Sequence, residues 1–298
     1  MAEDMTELRR WYAEDLRLRA PIRRNPAIVA AFAAVPRERF LGRGPWRIIA
    51  ESDLDCPFLT PDGDARWVYH DVLVTIDVAR GLNNGVPRLW AGIFDHLDLA
   101  RGQRVLQVGA GTGYYTAVLA EITGPEGRVV AVEVDDALAE RARANLSAWP
   151  QVEVVAGDGR THDAGEVDRI IVFAGSTHPA PLWLDRLAAG GQLMMPLTTD
   201  NRWGFLLRVT QRADHDTNLI LMPWARDRFD AASIGRVGIF PCLGGRDAKA
   251  AKRLEEALRS LAGRADIPIA ALHRGEPGPE AHVWYHGPGF WLEHKPTD

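Results

Sequence analysis

The stretch Val105-Leu-Gln-Val-Gly-Ala-Gly-Thr-Gly-Tyr-Tyr-Thr-Ala-Val-Leu-Ala120, followed by Val129-Val-Ala-Val-Glu133, decides the fold. A short apolar run meets three glycines at alternate positions, then a helical pattern, then a second apolar run that ends in a carboxylate. That order predicts a strand, a tight turn, a helix and a second parallel strand with an acid at its tip. Glycines there let backbone approach a ligand closely, and Glu133 is placed to accept hydrogen bonds from both hydroxyls of a ribose. A dinucleotide fingerprint would need a glycine at position 114, which is Tyr114. The spacing Gly109-x-Gly111-x-Gly113 is that of S-adenosylmethionine binding. The cofactor candidates are therefore Gln107, Gly109, Ala110, Gly111, Thr112, Gly113, Tyr114, Glu133 and Val134.

Downstream of this core the chain keeps alternating. Strands are expected at 104–108, 128–132, 152–155, 168–173 and 191–195, with helices at 114–122, 136–148 and 180–188. Such alternation predicts an α/β fold with a doubly wound, mostly parallel sheet of Rossmann-like type. Gly157-Asp158-Gly159 follows the third strand, and ligands of open α/β sheets bind beyond the carboxyl ends of strands. Asp158 and Gly159 join the candidate cofactor residues, Asp158 as an acceptor for an adenine amino group. Paired strands are expected at 204–210 and 217–223, another strand at 236–240, a helix at 247–262, and strand-like pieces at 267–272 and 281–285.

Upstream, the first 40 residues read as helix, interrupted near Val35-Pro36 because proline disfavours helix in the residue before it. Residues 42–66, rich in Gly, Pro and Asp, read as an irregular loop. A short strand is expected at 72–76, a turn-rich loop at 81–87 and a helix at 88–97. Three segments result: an N-terminal helical and substrate-loop segment (1–100), a methyltransferase domain (101–244) and a small C-terminal extension (245–298).

The totals narrow the function. The chain has 298 residues, 46% hydrophobic and 25% charged, which suits a globular domain with a real core. A net charge of −5 argues against a nucleic-acid partner, which would call for a basic face. No apolar run is long enough for a membrane span and no signal peptide is evident, so the expected compartment is the cytoplasm. Cys56 and Cys242 form no metal spacing, and no His-Glu-x-x-His or comparable pattern occurs, so no metal is expected. Ser176 lacks a nucleophile elbow, and no P-loop is present.

Methyl transfer from a sulfonium is an in-line displacement, so the acceptor must be nucleophilic and aligned. A carboxylate is already ionised at neutral pH and needs positioning more than a base. Arginine suits bidentate carboxylate recognition, which makes Arg88 a candidate clamp. His70 is a candidate base for a less acidic acceptor, and Asn84, in the loop before Arg88, completes the candidate catalytic set.

Four blocks in order resemble the protein-L-isoaspartate O-methyltransferase family: Val35-Pro-Arg-Glu-Arg-Phe40; Val105–Ala120 with Tyr114 and Thr116-Ala-Val-Leu-Ala120; Ile170-Ile-Val-Phe-Ala174 with Leu187–Leu193 and Pro196; and Val237-Gly-Ile-Phe-Pro241. The resemblance covers residues from about 25 to 244. It implies a methyltransferase that esterifies aspartyl or isoaspartyl carboxylates of a peptide or protein with S-adenosylmethionine. One loop departs from the pattern. Where the family carries G-Q-T-I-S-x-P, with a hydroxyl near the acceptor carboxylate, this chain has Gly81-Leu-Asn-Asn-Gly-Val-Pro87. Asn83 replaces the threonine, Gly85 replaces the serine, and Gln107 replaces the glutamate before the first glycine. With the extension and its Trp284-Tyr285 and Phe290-Trp291, this resembles divergent relatives that methylate aspartate in ribosomal peptides during maturation. The aromatic tail then either docks a peptide or covers the sheet. The alternatives are a small-molecule methyltransferase on the same scaffold and a non-catalytic S-adenosylmethionine-binding module. No pattern in the sequence encodes an oligomeric state.

Overall fold

Residues 2–20, 22–50, 56–212, 227–261, 264 and 266–295 are described by a computed structural model. In chain order the helices are α1 (Ala2–Arg19), α2 (Pro26–Ala34), α3 (Glu38–Leu41), α4 (Pro87–Asp95), α5 (Tyr114–Thr123), α6 (Asp136–Asn145), α7 (Pro181–Asp185) and α8 (Ala248–Ser260). The strands are β1 (Arg47–Ile49), β2 (Phe58–Leu59), β3 (Leu73–Asp77), β4 (Leu82–Asn83), β5 (Arg104–Val108), β6 (Arg128–Glu133) and β7 (Val152–Ala156). They continue with β8 (Val167–Val172), β9 (Leu187–Thr198), β10 (Trp203–Thr210), β11 (Arg228–Gly238), β12 (Ile269–Arg274), β13 (Val283–Gly287) and β14 (Phe290–His294). The chain forms two compact units, one from Met1–Gln103 with Ala110–Gly157, the other from Arg104–Gly109 with Asp158–Asp298.

In the first unit, α2 begins where Asn25 accepts the Ala27 N–H at 3.1 Å and Pro26 supplies a preset φ. It ends at Val35, whose backbone turns extended ahead of Pro36. The expected N-terminal helix is thus broken twice, and the Asp95 carboxylate holds the first break by accepting the N–H groups of Arg23, Arg24 and Asn25. Ile28, Ala31 and Phe32 of α2 are buried, and the helix packs on α1 and α5. Residues 42–66 carry more structure than their composition suggests. β1 and β2 lie there and join β3 and β4 in a four-stranded antiparallel sheet of order β2-β1-β3-β4. β6 and β7 pair in parallel, and both α5 and α6 pack on them.

In the second unit, β5, β8 and β9 are parallel neighbours. From β9 the order continues β10, β11, β12, β14, β13, each pair antiparallel. The sheet is therefore mixed, with its parallel part at the strands expected from the alternating pattern. The expected helix at 180–188 is only Pro181–Asp185, because β9 begins at Leu187 in register with Val167. The expected partner strand at 217–223 lies outside the described residues. The antiparallel neighbour of β10 is β11, which runs from Arg228 and contains the start of the strand expected at 236–240.

The compact units do not break at residue 244. β12 pairs with β11, and the Tyr285 hydroxyl donates to the Thr177 carbonyl at 2.8 Å in the interior. The described residues after 244 include α8, β12, β13 and β14 and belong to the second unit, with Tyr285 and Phe290 buried. Trp291 stacks on His273 at 3.9 Å. Among the described residues no helix is long and apolar enough to cross a membrane, and no group of three or more His, Cys, Asp or Glu side chains is placed to hold a metal.

Candidate active site

The turn after β5 is shaped by three glycines with φ of +87°, +56° and +91° at 109, 111 and 113. In the first unit, a Cβ at Gly111 would meet nothing within 4 Å, so this position opens onto space. Its N–H donates to Glu133 Oε2 at 2.7 Å, and the Asp135 N–H donates to Glu133 Oε1 at 3.1 Å. Glu133, 7% exposed at the tip of β6, thus fixes the turn as well as standing beside it. Each carboxylate oxygen keeps a further lone pair for a ligand hydroxyl. The Ala110 N–H reaches the Val132 carbonyl, and the Thr112 carbonyl accepts from Asn145 Nδ2 at 2.9 Å, so the turn is held from both sides. Tyr114, fully buried, starts α5 and packs edge-on against Phe32 and Phe40. Val134 is half exposed immediately after Glu133. Asp135, which sequence reasoning did not single out, caps α6 by accepting the Leu138 N–H at 2.8 Å, and that bond holds its carboxyl below the ordinary value. Its signal, an acid directly before a helical run, was present.

In the second unit, Gln107 is fully buried and its Nε2 lies 3.4 Å from the Gly109 carbonyl. Asp158 accepts the Arg160 N–H at 2.9 Å, and its carbonyl accepts from Thr161 and His162, so it caps its own turn. Its side chain remains 40% exposed. Gly159 is required by packing, since a Cβ would lie 2.7 Å from Val108 Cγ1, and its carbonyl accepts from Trp183 Nε1 at 2.8 Å.

The loop at 81–87 lies in the first unit. Leu82 and Asn83 form β4 against β3, and the Asn84 N–H donates to the Val74 carbonyl at 2.9 Å. Asn83 Oδ1 accepts the Gly85 N–H at 2.8 Å, and the Tyr115 hydroxyl donates to the Gly85 carbonyl at 3.1 Å. Gly85 has φ of +76°, and a Cβ there would sit 2.5 Å from Trp90 Nε1. A hydroxyl side chain has no room at this position. Trp90 is the residue that sequence reasoning missed; nothing local marks it, because its effect is a contact made from the next helix.

The three candidate catalytic residues occupy different surroundings. Arg88 donates its backbone N–H to Asp71 Oδ1 at 2.9 Å, and its Nε lies 3.5 Å from Asp71 Oδ2. Burial pushes the Asp71 carboxyl above its ordinary value, opposed by the Arg88 N–H bond. His70 is exposed, and its carbonyl accepts from Arg37, whose fully buried guanidinium also bonds the Val68 and Val72 carbonyls. Asn84 is 7% exposed, and its Nδ2 is buried with no hydrogen-bond partner among the described residues.

Comparison with known proteins adds to this geometry. A family model described as protein-L-isoaspartate(D-aspartate) O-methyltransferase matches residues 59–221. A curated protein-L-isoaspartate O-methyltransferase from Methanothermobacter thermautotrophicus is 30% identical over 245 residues, covering 80% of this chain and 97% of its own. A solved structure with the same name is similar over 99% of this chain and 88% of its own, with a TM-score of 0.61 and 20% identity. Another, from Plasmodium falciparum and solved with S-adenosyl-L-homocysteine, gives a TM-score of 0.57 over 78% of this chain and 97% of its own, at 18% identity. These two structural likenesses show the α/β methyltransferase fold expected from the alternating pattern.

Proposed function

The chain belongs to the protein-L-isoaspartate(D-aspartate) O-methyltransferase family of S-adenosylmethionine-dependent carboxyl methyltransferases, and we propose that its acceptor is an aspartyl or isoaspartyl carboxylate in a peptide matured by this methylation. The observation that carries the finer part is the closed position at Gly85. The family's hydroxyl beside the acceptor is not merely substituted here; Trp90 fills the space it would need. A loop rebuilt in this way suits a restricted set of acceptors better than general repair of damaged protein.

S-adenosylmethionine, when bound, supplies an electrophilic methyl group on a positively charged sulfur. The residues present fit it: the open cradle at Gly111, the Glu133 carboxylate for ribose hydroxyls, and the half-exposed Val134 as an apolar face. In the first unit, Ala110, Thr112, Gly113 and Tyr114 shape the turn at that cradle. Arg88, oriented by Asp71, supplies positive charge for the acceptor carboxylate. His70 has no proton to remove from an ionised carboxylate and takes no step in this reading.

Mass spectrometry of short aspartyl and isoaspartyl peptides incubated with enzyme and S-adenosylmethionine tests the proposal. A base-labile methyl ester is expected; an ester-stable product would sink it. Arg88→Ala is expected to raise the peptide KM and leave cofactor affinity intact, and a fall in cofactor affinity would refute the clamp.

A further inference from the structure

The loop at 81–87 contains a second anomaly besides its closed glycine. Asn84 stands where the family pattern has an apolar residue, yet it is buried and its amide nitrogen bonds to nothing among the described residues. Leaving a buried N–H donor unpaired is costly, and such groups in folded proteins call for an explanation. An apolar side chain of the same size would pack there with no such cost. Several other polar groups of the loop are engaged. Asn83 Oδ1 holds the Gly85 N–H, the Asn84 N–H reaches Val74, and the Gly85 carbonyl is taken by Tyr115. With position 85 closed by Trp90, Asn84 Nδ2 is the loop's buried side-chain donor without a partner among the described residues.

We propose that Asn84 Nδ2 donates a hydrogen bond to the acceptor carboxylate, replacing from the neighbouring position the hydroxyl that Gly85 cannot carry. This rests on the peptide-carboxylate reading above. The donor suits this ligand class: an NH2 group needs an acceptor, and an ionised carboxylate offers acceptor lone pairs on both oxygens. A neutral donor also orients the carboxylate while withdrawing less charge from its attacking oxygen than a second guanidinium would. Asn84 then discriminates carboxylate acceptors from their amide counterparts, in which half of the acceptor capacity becomes donor.

The test uses the full chain, Asn84→Leu and Asn84→Asp, with a short isoaspartyl peptide and its isoasparaginyl counterpart. Peptide affinity is measured by calorimetry with S-adenosylhomocysteine present, alongside turnover with S-adenosylmethionine. Asn84→Leu is expected to lower peptide affinity and kcat/KM by about 10- to 100-fold, the loss of one hydrogen bond to a charged group. Its melting temperature should hold or rise, because an unpaired polar group has left the interior. Cofactor affinity should not move. Asn84→Asp keeps the shape and serves if the leucine variant fails to fold; it should weaken the isoaspartyl peptide further by repulsion. Wild-type affinity and kcat/KM in either folded variant would overturn the assignment. If the wild type binds the peptide without methylating it, the reaction reading fails, while the affinity loss still decides the role of Asn84. A wild type that neither binds nor methylates overturns both.

Discussion

At Gly111 a Cβ would meet nothing within 4 Å, whereas at Gly85 it would lie 2.5 Å from Trp90 Nε1, although both residues have positive φ, +56° and +76°. The first glycine leaves room for a ligand; the second leaves room for the protein itself. Position and backbone class do not separate these cases, and only the neighbours do. The turn at 109–113 is kept open beside Glu133, and the loop at 81–87 is packed shut at Gly85, where the family resemblance implies a serine.

Gly85→Ser is the strongest way to break this contrast. A side chain in left-handed backbone against Trp90 should cost about 3 kcal/mol, combining overpacking with the backbone penalty. Thermal or urea unfolding measures it, and a stable variant with improved turnover would show that the loop can reopen. Glu133→Ala should cost about 2 kcal/mol in cofactor affinity, and stability should fall too because the Gly111 and Asp135 N–H groups lose their partner. Titration calorimetry with S-adenosylhomocysteine reads the first effect and a melt the second. Asp135→Ala should cost about 1 kcal/mol by uncapping α6. Its carboxyl is held below the ordinary 3.8 by the Leu138 N–H, so the cap's stability is present above pH 3.8 and is lost as pH falls through the lower folded value. The wild-type melting temperature should therefore decline on that acid side more steeply than the variant's. Asp71 has the opposite sign. Burial raises its folded value above 3.8, so acid adds stability through this group as pH falls through that raised value. Gly111→Ala should be the smallest in stability, about 1 kcal/mol from its left-handed backbone alone, with a large loss of cofactor binding as the cradle fills. A variant that binds the cofactor normally would mean the open space at 111 is not the cradle.

The cofactor turn was legible because its signals are local. β5 spans the expected 104–108, α5 begins at Tyr114, and the acid at the tip of β6 is where the apolar run ends. The second role of Glu133 could not be read, since a backbone N–H across the turn leaves no mark in composition. The acceptor loop was legible only as a departure from a pattern. Why Gly85 stands there depends on Trp90 and Tyr115 from two other helices, and Asp71 reaches Arg88 from before β3. β1 and β2 were hidden in a segment rich in turn residues because they are three and two residues long, and their register comes from β3 and from each other. The aromatic tail looked like a docking surface or a cover. Tyr285 and Phe290 are core, so that much of it covers.

The bare amide of Asn84 has a consequence for anyone who evolves this enzyme. Natural chains seldom sit at their stability optimum, and replacing an unpaired buried donor by an apolar side chain is one way to gain stability. Here a selection for heat resistance would favour Leu or Ile at position 84 and would deliver a sturdier protein that no longer holds its peptide. A library screened for melting temperature alone would discard the loop's chemistry without any sign of damage, so the screen should carry a turnover assay from its first round.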